Sequence, residues 1–294
     1  GDTSSKGLVE RQVVRVVTPG TLTEPASLDQ GSNNYLAAVL VEGVEAGLAY
    51  VDITTSEFAT TQIPIEDLHI ELDRLNASEV LVPHGYSELS SVSDYLVTQI
   101  EYEYFRPLSG EIALQNHFRV STLEAYGCLD MPLAIGAASA VLAYLTKTQK
   151  PSVERLQGLR TYSPRTFMVL DRQTRRNLEL FRSGRWGDTS HSLLATIDLT
   201  NTPMGGRLLR KWLSQPLLDL ACLERRQNAV EAIYHEEITR REMIDSLKSV
   251  PDLERLLTRI ITGAAIPREV TALKNGLEST ARLKVLVNGV ASLQ

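Results

Sequence analysis

The chain has 294 residues, of which 43% are hydrophobic and 22% are charged, a composition typical of a soluble globular protein with room for two domains. The longest apolar run, residues 133–145, is too short to span a bilayer, and no basic start precedes an apolar signal core. Cys128 and Cys222 form no metal-ligand spacing, which favours small buried thiols in a reducing compartment. We therefore expect a cytoplasmic protein without a membrane partner.

The net charge of −6 is distributed unevenly along the chain. Residues 1–150 contain 8 Lys or Arg and 20 Asp or Glu, whereas residues 151–294 contain 22 Lys or Arg and 16 Asp or Glu. Because affinity for DNA depends on neutralised phosphates, the acidic first half is expected to bind DNA poorly and to suit a protein partner better. The mildly basic second half is compatible with a position near DNA or with a solvated, arginine-rich helical surface.

The first half shows a β-rich pattern followed by an alternation of helices and strands. After a small, polar start at 1–6, it predicts a strand at 13–17, a polar linker at 24–32, strands at 35–41, 47–54 and 57–63, a helix at 65–75, a strand at 79–82, a helix at 86–96 and a strand at 99–105. Three strands in a meander followed by βα alternation predict a mixed sheet with helices on its faces, in a ribonuclease-H-like arrangement.

From about residue 131 the apolar spacing is helical almost throughout. It predicts an alanine-rich helix at 133–147, a short extended piece within 160–170, and helices at 172–181, 204–213, 220–235, 238–248, 252–261 and 268–287. The best-marked helix has Thr202 as its cap and Pro203 at its first position, and it ends before Pro216. The predicted fold class is α/β plus all-α, a mixed-sheet domain followed by a helical domain.

A ribonuclease-H-like sheet raises the possibility of a metal-dependent nuclease, which needs a central Asp on the first strand to hold Mg²⁺ ions. The predicted first strand carries no acid, and Asp52 and Glu57, on or beside the next two strands, would lack that central ligand. We expect Asp52 instead to order the adjacent turn at residues 54–56 through side-chain hydrogen bonds.

Other motifs give no catalytic, cofactor-binding or metal-binding prediction. The five histidines form no i, i+4 pair, and the serines beside His191 are sequence neighbours rather than a nucleophile with its base. Gly205-Gly206 precedes Arg207 instead of a Lys-Ser/Thr pair, so we expect close helix packing there rather than a phosphate-binding loop. The loop at 181–188 is expected to be an exposed turn with Trp186 against the core, or alternatively a contact for phosphate or another domain.

Three arginines fall on the predicted helix at 172–181. Arg172, Arg175 and Arg176 have acidic neighbours at Asp171 and Glu179, and residues three or four apart on a helix face each other. We expect these neighbours to be their partners.

Several parts of the sequence are similar to segments of a single protein family. They are residues 13–21 (VVRVVTPGT), 34–38 (NYLAA), 47–54 (GLAYVDIT), 168–180 (MVLDRQTRRNLEL) and 197–219 (IDLTNTPMGGRLLRKWLSQPLLD). They occur in the family's order and span most of the chain. On this basis the chain resembles the MutS family of DNA mismatch-repair proteins.

The resemblance implies three parts. Residues 1–21 would be the tail of the mismatch-binding domain and its linker, residues 22–148 the ribonuclease-H-like connector domain, and residues 149–294 the first part of the helical core or lever domain. It also implies an inter-domain position for the helix that begins near Arg172. The mismatch-reading motif, the ATPase motifs and the DNA-clamping insertion are not found in this sequence, so the fragment is expected not to be an enzyme.

For a whole protein, the resemblance implies recognition of mismatched duplex DNA, binding of ATP with Mg²⁺, a MutS homodimer and recruitment of MutL. For this chain it implies a non-catalytic role, in which core helices transmit conformational change and the acidic connector contacts MutL. Two alternatives stay open at this point: a ribonuclease-H-like metal-dependent nuclease, and a stand-alone DNA-binding module with a steep salt dependence.

Overall fold

The computed structural model describes residues 16–86, 90–149, 153–154, 156–184 and 187–290. Within these ranges, a single mixed sheet is formed by residues from the first half of the chain and a short strand just beyond it. Its strands are β1 (Leu36–Glu42), β2 (Glu45–Asp52), β3 (Glu57–Pro64), β4 (Glu79–Pro83), β5 (Val97–Ile100) and β6 (Arg160–Thr161).

The strands lie in the order β5-β4-β1-β2-β3-β6. β1, β2 and β3 form an antiparallel meander, whereas β4 and β5 continue the sheet in parallel from β1, and β6 runs parallel to β3 at the other edge. The predicted mixed, ribonuclease-H-like sheet is therefore confirmed, and the extended piece expected within 160–170 is its sixth strand.

Helices cover both faces of the sheet. They are α1 (Ile65–Leu75) on one face and α2 (Pro107–Phe118) and α3 (Pro132–Thr148) on the other. β1 alternates between the two layers: Leu36 and Leu40 belong to the cluster under α2 and α3, and Ala37 and Val39 belong to the cluster under α1. Burial on both faces explains why this strand is a continuous apolar run instead of an alternating one.

The second half is a series of helices. They are α4 (Arg172–Asn177), α5 (Leu193–Ile197), α6 (Pro203–Ser214), α7 (Leu220–His235), α8 (Glu237–Lys248), α9 (Leu253–Ile261) and α10 (Pro267–Asn288). Five of them begin with a side chain that accepts a hydrogen bond from the N–H three residues on, namely Asp171, Ser192, Thr202, Asp219 and Asp252. No helix in the described ranges is both long and apolar enough to cross a bilayer.

Two element predictions near the edge of the sheet were wrong. The helix expected at 86–96 is absent from the described residues of that stretch, which hold a single 3-10 turn at Ser90–Val92. Serines in this stretch favour local side-chain hydrogen bonds over a helix. The apolar residue Val92, which contributed to the helical spacing, is instead buried against the sheet from a 3-10 turn. The strand expected at 99–105 begins earlier, as β5, and residues Tyr102–Phe105 form a 3-10 turn.

Two further differences concern helices. α2 was not predicted, because Gly110 lowers its helix propensity and its apolar residues lie on both its buried and its exposed sides. The helix expected at 172–181 ends at Asn177, and Glu179 has a left-handed backbone with φ of 48°. The strand expected at 13–17 falls mostly outside the described residues.

Candidate functional site: the junction of the sheet and the helices

Two arginines connect the linker that precedes β1 to the helical half, the part of the chain that contains α4–α10. We call residues 29–32 the linker strap. Arg207 of α6 donates from Nη1 to the carbonyl oxygen of Gln30 at 3.1 Å. Arg255 of α9 donates to the carbonyl oxygens of Asp29 at 3.0 Å and Ser32 at 2.8 Å. All three acceptors are backbone carbonyl oxygens. These contacts therefore depend on the course of the strap's backbone and not on its side chains.

Arg207 also joins two helices to each other. Its guanidinium forms a bidentate pair with Asp252, the cap of α9, at 2.7 and 2.8 Å, and reaches Glu254 at 2.6 Å. Its side chain is only 5% exposed. A planar guanidinium suits this position because one group can serve carboxylates and a carbonyl at once.

The glycine pair at the start of α6 does not pack against another helix. A Cβ on Gly205 would lie 3.1 Å from Oγ1 of Thr202 and 3.3 Å from Cβ of Thr200, both in the segment that leads into α6. A Cβ on Gly206 would lie 3.7 Å from the Cα of Gly31 in the linker strap, which is an ordinary contact distance. The prediction of close helix packing was therefore wrong, and the tight approach is confined to Gly205 and its own preceding loop.

A second contact joins α6 to the sheet. Lys211 Nζ lies 2.7 Å from Glu57 Oε1, and the other oxygen of Glu57 accepts from the Tyr35 hydroxyl at 2.9 Å. Burial alone would raise the pKa of Glu57, but the charge and hydrogen bonds of Lys211 and Tyr35 outweigh it and hold the pKa below its ordinary value of 4.5. Burial and the adjacent Glu57 carboxylate raise the pKa of Tyr35 well above its usual range.

A third contact joins α4 to the end of α1. Arg172 donates from Nε to the Asp73 carboxylate at 3.0 Å and from Nη1 to the Asp94 carboxylate at 2.6 Å. Asp73 also accepts a hydrogen bond from the Tyr95 hydroxyl at 2.6 Å. Asp171 and Glu179, the partners expected for the arginines of this helix, are not the partners of Arg172, and the Asp171 carboxylate accepts the Thr174 N–H as the helix cap. The inter-domain position implied for this helix agrees with the contact that Arg172 makes.

Arg175, the next arginine of α4, has different surroundings from those expected. Arg175 donates from Nε to the carbonyl oxygen of Leu170 at 2.8 Å. Burial, followed by the nearby charge of Arg74, lowers its pKa. The side chain of Glu179 accepts instead from the N–H of Gly184 at 2.6 Å.

Asp52 ties Asn33 and Asn34, the two residues that follow the strap, to the sheet. One of its oxygens accepts from the N–H and hydroxyl of Thr54 at 2.8 and 2.6 Å, so its predicted role in the turn is confirmed. The other accepts from Asn33 Nδ2 at 2.9 Å and from the Asn34 N–H at 3.2 Å. Both oxygens are therefore engaged by the chain's own donors, and no cluster of His, Cys, Asp or Glu suited to a metal ion occurs among the described residues.

Glu79 on β4 plays a similar part for the segment that leads into the linker. This fully buried carboxylate accepts from the N–H of Gly20 at 3.0 Å, from Thr98 at 2.7 Å and from the Tyr144 hydroxyl at 2.8 Å. Sequence reasoning missed Glu79 as it missed Arg207, Lys211 and Arg255. Polar residues on apolar helix faces or inside buried strands mark such sites, but their partners are far away in sequence.

The remaining candidates are local. Cys128 is buried, as expected, whereas Cys222 is half-buried beside Asp219 and Arg225. His191 lies in an exposed turn within reach of Asp188 and Ser190. Trp186, expected to pack against the core, falls outside the described residues.

An apolar patch is exposed on the sheet domain, the part of the chain that contains β1–β6 and α1–α3. Leu108 and Ile112, one turn apart on α2, are 82% and 59% exposed, so both point away from α3. We call this pair the α2 patch. Contiguous apolar side chains on a surface are a feature of contact sites.

Comparisons with known proteins agree in one family. The family model described as MutS domain II matches residues 34–157, and that described as MutS domain III matches residues 173–293. Curated relatives named "DNA mismatch repair protein MutS" match nearly the whole chain, and three of them serve as examples. The protein from Dehalococcoides mccartyi is 41% identical over 280 residues, covering 95% of this chain and 33% of the relative.

The other two relatives show similar values. The protein from Symbiobacterium thermophilum is 41% identical over 296 residues, covering 97% of this chain and 34% of the relative. The protein from Synechocystis sp. is 40% identical over 290 residues, covering 93% and 33%. The chain thus spans about one third of the length of the curated relatives that it matches.

Proposed function

Because the chain belongs to the MutS family, of which it carries domains II and III, we propose that it is the part of a mismatch repair protein that transmits conformational change between other parts. The observation that carries this proposal is the junction itself. The two halves meet through a backbone strap and separate ion pairs. Both large apolar clusters found in the described residues lie on the faces of the sheet, so neither is shared with α4–α10. A junction of this kind permits relative movement more readily than a shared apolar core.

We place the catalytic steps outside this region, so that the chain acts without turnover of its own. In the whole protein, we propose binding of mismatched duplex DNA, of ATP with Mg²⁺ and of a second MutS copy, in a cytoplasmic setting. The similarity to relatives named as mismatch repair proteins supports this proposal. The nuclease alternative is less well supported, since Asp52 and Glu57 are engaged by Thr54 and Lys211.

We further propose that the sheet domain docks MutL through the α2 patch. The surplus of acidic residues in the first half keeps this domain away from DNA and available to a protein. Leu108 and Ile112 would supply the apolar centre of the contact, and a few residues near the centre of an interface give most of its affinity.

The test is association of purified MutL with this chain, measured by light scattering or biolayer interferometry. The double variant Leu108→Ser/Ile112→Ser is expected to weaken association at least tenfold. Val44→Ser is the matched control, because Val44 is an apolar side chain of the same domain, 78% exposed in the β1–β2 turn. Equal association of all three proteins would refute the α2 patch, and absence of association by the unaltered chain would refute MutL docking.

A further inference from the structure

One edge of the sheet has no neighbouring strand within the described ranges. β5 is the outermost strand on that side and pairs only with β4. The carbonyl oxygens of Leu96 and Ile100 accept hydrogen bonds from β4 and the residue that follows it, so the backbone groups of every second residue face β4. In a parallel ladder the residues between them point their N–H and C=O groups the other way. We call these outward groups, on Val97 and Gln99, the β5 edge.

The sequence of β5 lacks the features that normally keep a further strand away. Natural edge strands are protected by charged side chains, by proline or by a bulge. Residues 96–100, Leu-Val-Thr-Gln-Ile, contain neither a charge nor a proline, and three of them are β-branched residues that favour strands. Leu96 and Gln99 are exposed, so solvent reaches this strand. The β5 edge is therefore able to pair with another strand.

A cleft with a volume of about 170 Å³ lies at the end of β5. It is bounded by the last residues of β5, by the last turns of α3 and by the rings of His84, Tyr104 and Tyr144. A cavity of about 150 Å³ is large enough for a benzene ring. Aromatic rings also pack favourably against one another. This space, which we call the β5 cleft, therefore suits one aromatic side chain.

The β5 edge and the β5 cleft can be occupied by the same added strand. Ile100 packs against the apolar cluster under α2 and α3, so it lies on the face of the sheet that carries the cleft. Side chains of an added strand alternate between the two faces in the same way, and its residue beside Ile100 would project toward the cleft. In such complexes the backbone hydrogen bonds give affinity and the pocket selects the side chain.

Charge favours a basic occupant. Residues 1–150 contain 20 Asp or Glu against 8 Lys or Arg, so the sheet domain attracts cationic segments and repels acidic ones. Asp94 precedes β5 and Glu101 follows it, and although each has a basic partner, their side chains remain 59% and 60% exposed. A second copy of this chain would bring the same acidic surplus to the edge and is therefore a poorer occupant.

We propose that the β5 edge binds an extended, basic segment of a partner protein as a seventh strand, with one aromatic side chain of that segment in the β5 cleft. The backbone groups of Val97 and Gln99 supply the hydrogen bonds, and the rings around the cleft supply the preference for an aromatic residue. This surface is separate from the α2 patch, so the inference does not depend on MutL docking.

The test uses a synthetic probe and the whole chain. The probe is a seven-residue peptide of alternating valine and threonine, with a central phenylalanine and a lysine at each end. Amide hydrogen exchange, followed by nuclear magnetic resonance, is expected to slow roughly tenfold at Val97 and Gln99 when the peptide is saturating. Thr98 and Ile100 are internal controls, because their N–H groups already face β4. A peptide with the same side chains but alternate backbone nitrogens methylated is expected to have no effect, and equal effects of the two peptides would overturn the proposal.

Two variants at one position separate backbone pairing from side-chain contact. Gln99→Pro removes an outward N–H without removing a hydrogen bond to β4, and Gln99→Ala removes the same side chain but keeps the N–H. We expect the first to weaken peptide binding roughly tenfold and the second to change it by less than about twofold. Equal affinities of the two variants would contradict pairing at the β5 edge. If Gln99→Pro does not unfold cooperatively in urea, the methylated peptide decides the question.

The cleft is tested by filling it. His84→Trp places a larger ring at the cleft and is expected to weaken binding of the phenylalanine peptide roughly tenfold, while leaving a peptide with a central alanine unaffected. On the unaltered chain, the phenylalanine peptide is expected to bind more tightly than the alanine peptide. Equal affinity of the unaltered chain for both peptides would show that the cleft takes no aromatic side chain.

Two results without any peptide would also overturn the proposal. If Val97 and Gln99 exchange as slowly as Thr98 and Ile100 in the dilute chain, the chain itself fills the edge. If their protection grows with the concentration of the chain, a second copy fills it. The account predicts fast exchange at Val97 and Gln99 at every concentration of the free chain.

Discussion

Glu57 is the residue at which the sheet domain and α6 meet most directly. Its two oxygens have separate partners, Lys211 from the helical half and Tyr35 from the sheet domain. The Tyr35 bond is internal to the sheet domain and persists when the halves separate. Of these two hydrogen bonds, only the one from Lys211 crosses the junction and breaks when the halves separate.

A double-mutant cycle isolates that bond. We expect Lys211→Met and Glu57→Gln each to lower the free energy of unfolding, with a coupling energy of about 1 kcal/mol at low salt, the upper range for partly exposed pairs. The measurement is urea unfolding of the two single variants and the double variant, repeated in 0.5 M salt. Additive effects at low salt would mean that the pair contributes nothing to the junction.

The lowered pKa of Glu57 predicts the direction of the pH dependence. A carboxyl group whose pKa is lower in the folded chain adds stability at pH values above its ordinary 4.5, and this stability is lost as the pH falls through the lowered value. We expect the unaltered chain to lose more stability than Glu57→Gln between pH 5 and pH 3. Parallel losses in the two proteins would show that Glu57 has an ordinary pKa.

At the scale of elements, the packing of α3 on the sheet depends on two glycines. A Cβ on Gly47 of β2 would lie 2.0 Å from the carbonyl oxygen of Leu133, and a Cβ on Gly136 of α3 would lie 2.3 Å from that of Phe105. Neither carbonyl belongs to a side chain that can turn aside, so the backbones themselves would have to separate. The alanines of α3 extend this close approach along the helix.

Gly47→Ala is therefore expected to destabilise the sheet domain by about 3 kcal/mol, the upper part of the usual range for overpacking. Thermal unfolding followed by circular dichroism measures the effect. Gly158→Ala is the control, because a Cβ at Gly158 meets nothing within 4 Å. Equal unfolding temperatures for the two variants would contradict the close packing described for α3.

The elements differ in how far the sequence predicts them. α1 agrees with its prediction at both ends, because Leu68, Leu72 and Leu75 repeat at helical spacing and face the core. α2 escaped prediction because its exposed Leu108 and Ile112 obscure its amphipathic pattern. The same two side chains form the α2 patch, so a proposed contact surface is also where the local pattern fails.

The junction was the least predictable part. Arg207 and Lys211 lie one turn apart beside the apolar stripe of α6, and spacing alone gives them no partner. Their acceptors, Gln30 and Glu57, lie 177 and 154 positions away. Only the resemblance to a known family placed a junction in this region, and it named none of the contacts.

At the scale of the whole molecule, the two halves bury apolar side chains to very different extents. The sheet domain has a large apolar cluster on each face. In the helices the exposed side chains include several large ones, namely Val230, Tyr234, Ile238, Leu277 and Val285. Because apolar burial is the main stabilising contribution to folding, the helical half is expected to be the less stable of the two.

Hydrogen exchange measures this difference directly. Amide protons of α7–α10 are expected to exchange at least tenfold faster than those of β1 and β2 in the same sample. Equal protection of both halves would indicate that the helices are stabilised by contacts other than those described.

The central claim is that this region transmits movement, and one measurement tests it most directly. In a complete mismatch repair protein that contains this segment, spin labels at the positions of Val44 and Val230 report the distance between the two halves. We expect this distance to change when ADP is replaced by ATP in the presence of mismatched DNA, and we expect Lys211→Met/Arg172→Met to reduce the change. A distance that stays the same in every nucleotide state would contradict a role in transmitting movement.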